Sequence, residues 1–168
     1  MITQSRLKEV LRYEPETGLF YWAVKKGPAK AGDVAGTPHH LGYVCITVDG
    51  IKHQAHRLAF LYMAGRWPDA DIDHINHARS DNRWRNLREA TRAENAKNAS
   101  RYSTNSSGHH GVSWRAREKS WIARICVNGT HIHLGTYPDA ASAIAARKTA
   151  ESKYGFHSNH GSNNHWKE

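Results

Sequence analysis

Cysteine is scarce in this chain. Cys45 and Cys126 are the only two, far apart and without CxxC spacing. That argues against a disulfide framework and against a thiolate zinc site. No apolar run approaches the roughly 18 residues that a membrane span needs. The opening MITQSRLKEVL lacks the apolar stretch of a secretion signal, so the cytoplasm is the expected compartment. Acidic residues are also in deficit: 15 Asp and Glu stand against 24 Lys and Arg, a formal charge of +9. The excess is spread along the whole chain. Such a balance suits a polyanionic partner, because each neutralised phosphate releases counterions. Charge alone describes a merely basic protein equally well.

The length, 168 residues, fits one domain or two small ones. Residues 3–12 have helical spacing, with Thr3 as cap and Leu7, Val10 and Leu11 on one face. Residues 14–18 form a turn, and residues 19–23 an apolar strand. Residues 25–30 are a basic loop with Gly and Pro. Tyr43, Cys45 and Thr47 alternate with Val44, Ile46 and Val48, and Asp49-Gly50 then predicts a hairpin. HRLAFLYMA, residues 56–64, reads as a buried helix that stops at Gly65.

The most informative stretch is residues 72–98, IDHINHARSDNRWRNLREATRAENAKN. Asp73 precedes His74, Asn86 follows after eleven residues, and Asn95 after eight more. A short strand, a polar loop, a second strand at residues 86–88 and a helix capped by Thr91, with Glu94 completing a capping box, fit the pattern. One carboxylate, an amide oxygen and an adjacent imidazole make a sparse, oxygen-rich site for a hard cation with a base beside it. An unperturbed histidine, with a pKa near ~6.5, is largely neutral at pH 7 and can take a proton from water. Asn98 lies one turn beyond Asn95 and is either a further ligand or, as the favoured reading, a surface polar group. Asn82 reads as a turn residue and His77 as a solvated one. His56 either supports the site or only starts a helix.

Residues 56–98, beginning at His56-Arg57-Leu58, resemble the HNH nucleases. The DH…N…NL…EN combination is closest to the phage homing-endonuclease branch. The resemblance implies a ββα-metal core around one divalent ion, Mg2+ or another such as Mn2+. It makes Asp73 and Asn95 the metal ligands and His74 the general base. Asn86 ties the loop and holds the histidine. It also implies a phage- or prophage-encoded enzyme.

Residues 98–108 are small and polar, which predicts a linker, set at 99–109. A clear period-2 pattern follows. Val112, Trp114 and Ala116, then Trp121, Ala123, Ile125 and Val127, then Ile132 and Leu134 form one apolar face. Asn128-Gly129 is a hairpin turn. Residues 139–154 are an alanine-rich helix ending at Gly155, with Ala141, Ile144, Ala145 and Lys148 expected against the sheet. Residues 156–168 read as a disordered tail. On Gly111-Val112, residues 121–125, residues 134–137 and the alanine-rich helix, residues 108–155 resemble the plant ethylene-response-factor type of DNA-binding domain. By position, the groove-facing set is Ser113, Arg115, Arg117, Arg124, Cys126, His131 and His133. Trp114 and Trp121 are expected in the core.

The expected architecture is therefore α+β. A small β unit spans residues 1–55, a ββα-metal nuclease core 56–98, and a three-stranded antiparallel sheet packed on one helix 110–155. The expected function is metal-dependent, nicking hydrolysis of double-stranded DNA by a monomer. The alternative is a DNA-binding regulator with an inactive nuclease remnant. Residues 1–55 either contact DNA or buttress the core.

Overall fold

Thr3 starts the first helix: its hydroxyl accepts the Arg6 backbone N–H at 3.2 Å, and α1 runs Gln4–Val10. A computed structural model of the chain describes residues 1–101, 105 and 107–162. Helical spacing predicted α1 to residue 12, but Leu11–Glu14 is strand β1. Leu7, Val10 and Leu11 are buried all the same. A short apolar cluster satisfies either period, and antiparallel pairing with β2, Leu19–Trp22, decides for the strand. Val34–Ala35, β3, completes that sheet.

A second sheet holds β4 (Thr37–Pro38), β5 (Val44–Val48) and β6 (Ile51–Gln54). Asp49 and Gly50 join the last two with φ of 48° and 81°, the left-handed pair that a two-residue hairpin demands. Helix α2, Ala55–Ala64, ends where the left-handed Gly65 returns its N–H to the Leu61 carbonyl at 3.1 Å. Strand β7, Asp71–His74, then pairs antiparallel with β8, Leu87–Ala90.

The described residues divide into two compact units, 1–91 and 92–162. In the first, one core takes Leu7 and Leu11 from the N-terminal segment, Ile46 from β5, Leu58 from α2, and Ile72 and Leu87 from β7 and β8. The N-terminal segment is thus a buttress. Tyr13 donates its hydroxyl proton to the Asn82 carbonyl at 2.6 Å, and the Trp84 N–H reaches Pro15 O at 2.9 Å. Gly18 packs so closely that a Cβ there would collide with the Asn82–Arg83 peptide.

The second unit opens with the short helix α3, Arg92–Ala96. Its sheet is ordered β11-β10-β9, from β9 (Val112–Arg115), β10 (Ser120–Val127) and β11 (Thr130–Tyr137). Helix α4, Ala140–Lys153, is capped by the Asp139 carboxylate, which accepts the Ser142 N–H at 2.8 Å. Val112, Ala123 and Ala143 form the core between sheet and helix, with Trp121, Leu134, Tyr137 and Ile144 around them.

Four features depart from the periodic reading. The buried face of α4 carries Ala143, Arg147 and Ala150, while Ala141, Ala145 and Lys148 are exposed. An alanine-rich helix gives little hydrophobic contrast, and Arg147 is buried because partners meet its charge. Its guanidinium donates to Glu151 and to the Arg124 carbonyl, both at 2.9 Å. The second departure is a bulge opposite Ala123 and Arg124 that inserts Leu134 into β11 and resets its register. Third, Trp114 is 48 % exposed, its ring tilted against Trp121 at the sheet edge. Fourth, the segment read as a disordered tail bonds to Lys97 and to the segment read as linker. His157 N–H reaches Lys97 O at 3.0 Å, Gly161 N–H reaches Ala99 O at 2.9 Å, and Arg101 N–H reaches Ser162 O at 3.1 Å. Residues 163–168 of that tail lie outside the described residues.

Candidate active site

Strand β7 sorts the two central side chains by its period of two. Ile72 and His74 turn into the core, and Asp73 turns the other way. In register, Asp73 faces Arg88 of β8. Arg88 Nε and Nη2 donate to the same Asp73 oxygen, Oδ2, at 3.0 and 2.7 Å. The carboxylate is a hard oxygen donor of the kind Mg2+ selects, and that ion needs few protein ligands because it keeps several waters. Asp73 fits such an ion, with Arg88 as a standing competitor for its charge. Among the described residues no three His, Cys, Asp or Glu side chains converge as a metal cage.

His74 is 5 % exposed and sits in a pocket that sequence reading did not foresee. His56, from the first turn of α2, meets it edge to face with ring centroids 5.0 Å apart. The Tyr43 ring lies 5.2 Å from His56 and 6.1 Å from His74. Asn82 Oδ1 stands 3.4 Å from His74 Nε2. The Asn82 amide is oriented because its Nδ2 donates to Ser80 O at 3.1 Å. Oδ1 must therefore accept, so His74 Nε2 carries the proton and Nδ1 the lone pair. Burial pushes the His74 imidazole below its ordinary pKa; the Asn82 bond, Asp73 and Asp81 pull it back, and Arg79 lowers it again. His56 is driven down to about 3, by burial first, then by His74 and Arg57. Its Nδ1 is buried without a hydrogen-bond partner. Both rings are neutral at pH 7, which His74 needs if it is to accept a proton.

Asn86 organises the loop between the strands. Its Oδ1 accepts the Asn76 N–H at 3.0 Å, its Nδ2 donates to Asp81 O at 2.8 Å, and its carbonyl takes the Ile75 N–H at 2.9 Å. Asp81 extends the same network, accepting from Asn76 Nδ2 at 2.7 Å and from Arg83. Asn82, expected to be a plain turn residue, is buried against His74. Asn98, expected at the surface, is buried. Asn95 lies on α3, in the second unit, so Asp73, His74 and Asn86 belong to one compact body and Asn95 to the other.

On the sheet, Ser113, Arg124, Cys126, His131 and His133 are exposed, with Arg124 opposite His133 and Cys126 opposite His131. Arg115 is exposed opposite Ser120. Arg117 lies beyond β9, in the turn before β10, and is not a strand residue. Ile122 and Thr136 join the same face by register, opposite Ser113 and each other.

Residues 53–97 match the family model described as HNH endonuclease. The chain carries an HNH nuclease domain. Its segment spans α2, the β7–β8 hairpin and α3, and so contains His56, Asp73, His74, Asn82, Asn86 and Asn95. That domain makes the chain a nuclease. A solved structure described as "DNA binding and cleavage by the HNH homing endonuclease I-HmuI" resembles the chain with a TM-score of 0.41 and 20% identity, over 85% of this chain and 80% of that one. No curated protein matches. Of the HNH-segment residues around His74, sequence reading left the role of His56 open and missed Asn82. His56 lies eighteen positions upstream, and Asn82 resembles any loop asparagine. Tyr43, outside the segment, carried no signal at all.

Proposed function

We propose that the chain is a metal-dependent, homing-type endonuclease that hydrolyses phosphodiester bonds of double-stranded DNA. The observation that carries this reading is the buried, neutral His74 next to a carboxylate on the opposite face of its strand, within an HNH-matching segment. By the spacing of the motif, Asp73 and the Asn95 amide would be the oxygen donors for Mg2+ or a related divalent ion. When bound, that ion supplies positive charge to the scissile phosphate and the leaving oxygen. His74 Nδ1 takes the proton from the attacking water, and Asn82 holds the ring by Nε2. Asn86 keeps the loop in shape and touches neither ion nor phosphate. His74 works once per chain, so the product of one encounter is a nick in one strand.

The sheet face of Ser113, Arg115, Arg124, Cys126, His131 and His133 docks on the target duplex, with Arg117 reaching from the adjacent turn. Basic charge, outward arginines and an opposite apolar face support that role. The deciding experiment is cleavage of a supercoiled plasmid with Mg2+, with EDTA, and with the His74→Ala variant. Open-circular product lost in both controls is the expected result. Salt-sensitive DNA binding without any product, on a plasmid carrying the native target, would favour the regulator.

A further inference from the structure

Strand β9 pairs with β10 only as far as Ala123. Beyond it, the Arg124 N–H reaches Gly111 O at 2.7 Å and the Arg124 carbonyl accepts from Arg147. No strand among the described residues pairs with the rest of β10 on that side. Antiparallel alternation turns the Cys126 N–H and C=O the same way. A cavity of about 780 Å³ lies along this edge, in the second unit, walled by α3, by the Asn128-Gly129 turn and by Phe156.

The lining is of one sign. Arg92, Lys97, Arg124 and Arg147 border the cavity, and among the described residues no Asp or Glu does. Arg147 is held by Glu151, and Lys97 donates to the Tyr154 carbonyl at 2.9 Å. Arg92 and Arg124 are exposed. Ala93, Ala96 and Ile125 contribute to the apolar part of the lining. Cations set in an apolar lining suit a sugar-phosphate strand, whose anionic groups are joined by deoxyribose. An uncharged peptide would use the open strand edge but gain nothing from the arginines.

We propose that this cleft seats the backbone of a DNA strand, with Arg92 and Arg124 neutralising phosphates and the Cys126 N–H available as a further donor. This rests on the nuclease reading and deepens it. Arg92, Ala93, Ala96 and Lys97 of the α3 region border the cleft, and Asn95 does not. A helix with its side chains is roughly 10 Å across. The cleft phosphates are therefore neighbours of the group at Asn95, not the scissile group itself. The cleft adjoins the outer face of the sheet, sharing Arg124, Cys126 and His131 with it, and extends the contact surface to Arg92 and Lys97 of the α3 region.

The test is fluorescence anisotropy of a labelled duplex titrated with the full chain at several salt concentrations. Arg92→Gln removes one cation, and Ala96→Glu puts a carboxylate into the wall while removing nothing. Lys148→Gln, on the exposed face of α4, is the charge-matched control. Arg92→Gln is expected to lower the slope of log affinity against log salt by about one, and Ala96→Glu to weaken binding by about tenfold or more. Lys148→Gln should leave both unchanged. If the wild type binds with a salt slope but Arg92→Gln behaves like Lys148→Gln, the cleft assignment is overturned while the nuclease reading stands. Loss in Ala96→Glu with an unaltered slope in Arg92→Gln would show that Arg92 neutralises no phosphate there, and overturn it too. A wild type without salt-dependent binding overturns both readings. Thermal melts of each variant separate these outcomes from unfolding.

Discussion

Arg88 and Asp73 face each other across the β7–β8 ladder, and both guanidinium bonds fall on one carboxylate oxygen. The carboxylate proposed to hold the ion is thus already neutralised by a fixed cation. Removing that cation should strengthen the field available to the ion. Arg88→Gln is expected to lower the half-saturating Mg2+ concentration for cleavage by about three- to tenfold, the size expected of one nearby charge in a partly solvated site. A titration of rate against Mg2+ measures it, and an increased requirement would show that Arg88 positions Asp73 rather than competing for it.

His56 should make the fold acid-sensitive. Its folded pKa of about 3 lies below its ordinary value of 6.5. Between those values the unfolded chain binds a proton that the folded chain refuses. The contribution is fully present above about pH 6.5 and is lost as pH falls towards 3. Urea midpoints measured from pH 7.5 down to 4.5 should fall less steeply for His56→Phe than for the wild type. Parallel curves would remove His56 from the account.

Asn82 selects the tautomer of His74 through a neutral acceptor. Asn82→Asp keeps the shape and substitutes a charged one. A carboxylate beside an imidazole raises its pKa by about one unit or more. The base must be unprotonated to work, so the acid limb of the pH–rate profile should move to higher pH by about that amount. An unmoved limb would mean that a different group limits the rate at low pH.

Gly18 links the N-terminal segment to the catalytic loop. Its φ is 75°, and an added Cβ would strike the Asn82–Arg83 peptide. Gly18→Ala should cost about 3 kcal/mol or more, since left-handed strain and backbone collision add. Chemical denaturation reads the loss. Cleavage should fall as well, because the displaced peptide carries Asn82.

Much of this molecule was legible beforehand, and the reasons differ by element. Asp49-Gly50 and Asn128-Gly129 require left-handed pairs, so their hairpins follow from local chemistry. Asp73 and His74, adjacent on a strand, had to face opposite ways. The buried face of α4 was misplaced onto Ala141, Ala145 and Lys148 because an alanine-rich helix offers little contrast, and Glu151, Arg124 and Phe156 meet the buried Arg147 only in the folded unit.

The sequence by itself determined the order of elements, the turns and the spacing of Asp73, His74, Asn86 and Asn95, because these depend on neighbours along the chain. Tertiary structure alone decided that residues 1–55 share one core with the HNH hairpin. It alone brought Tyr43, His56 and Asn82 around His74. It also left an edge of β10 open beside α3. Those contacts join residues far apart in sequence, and only the burial of a common core chooses among the partners that local periodicity allows.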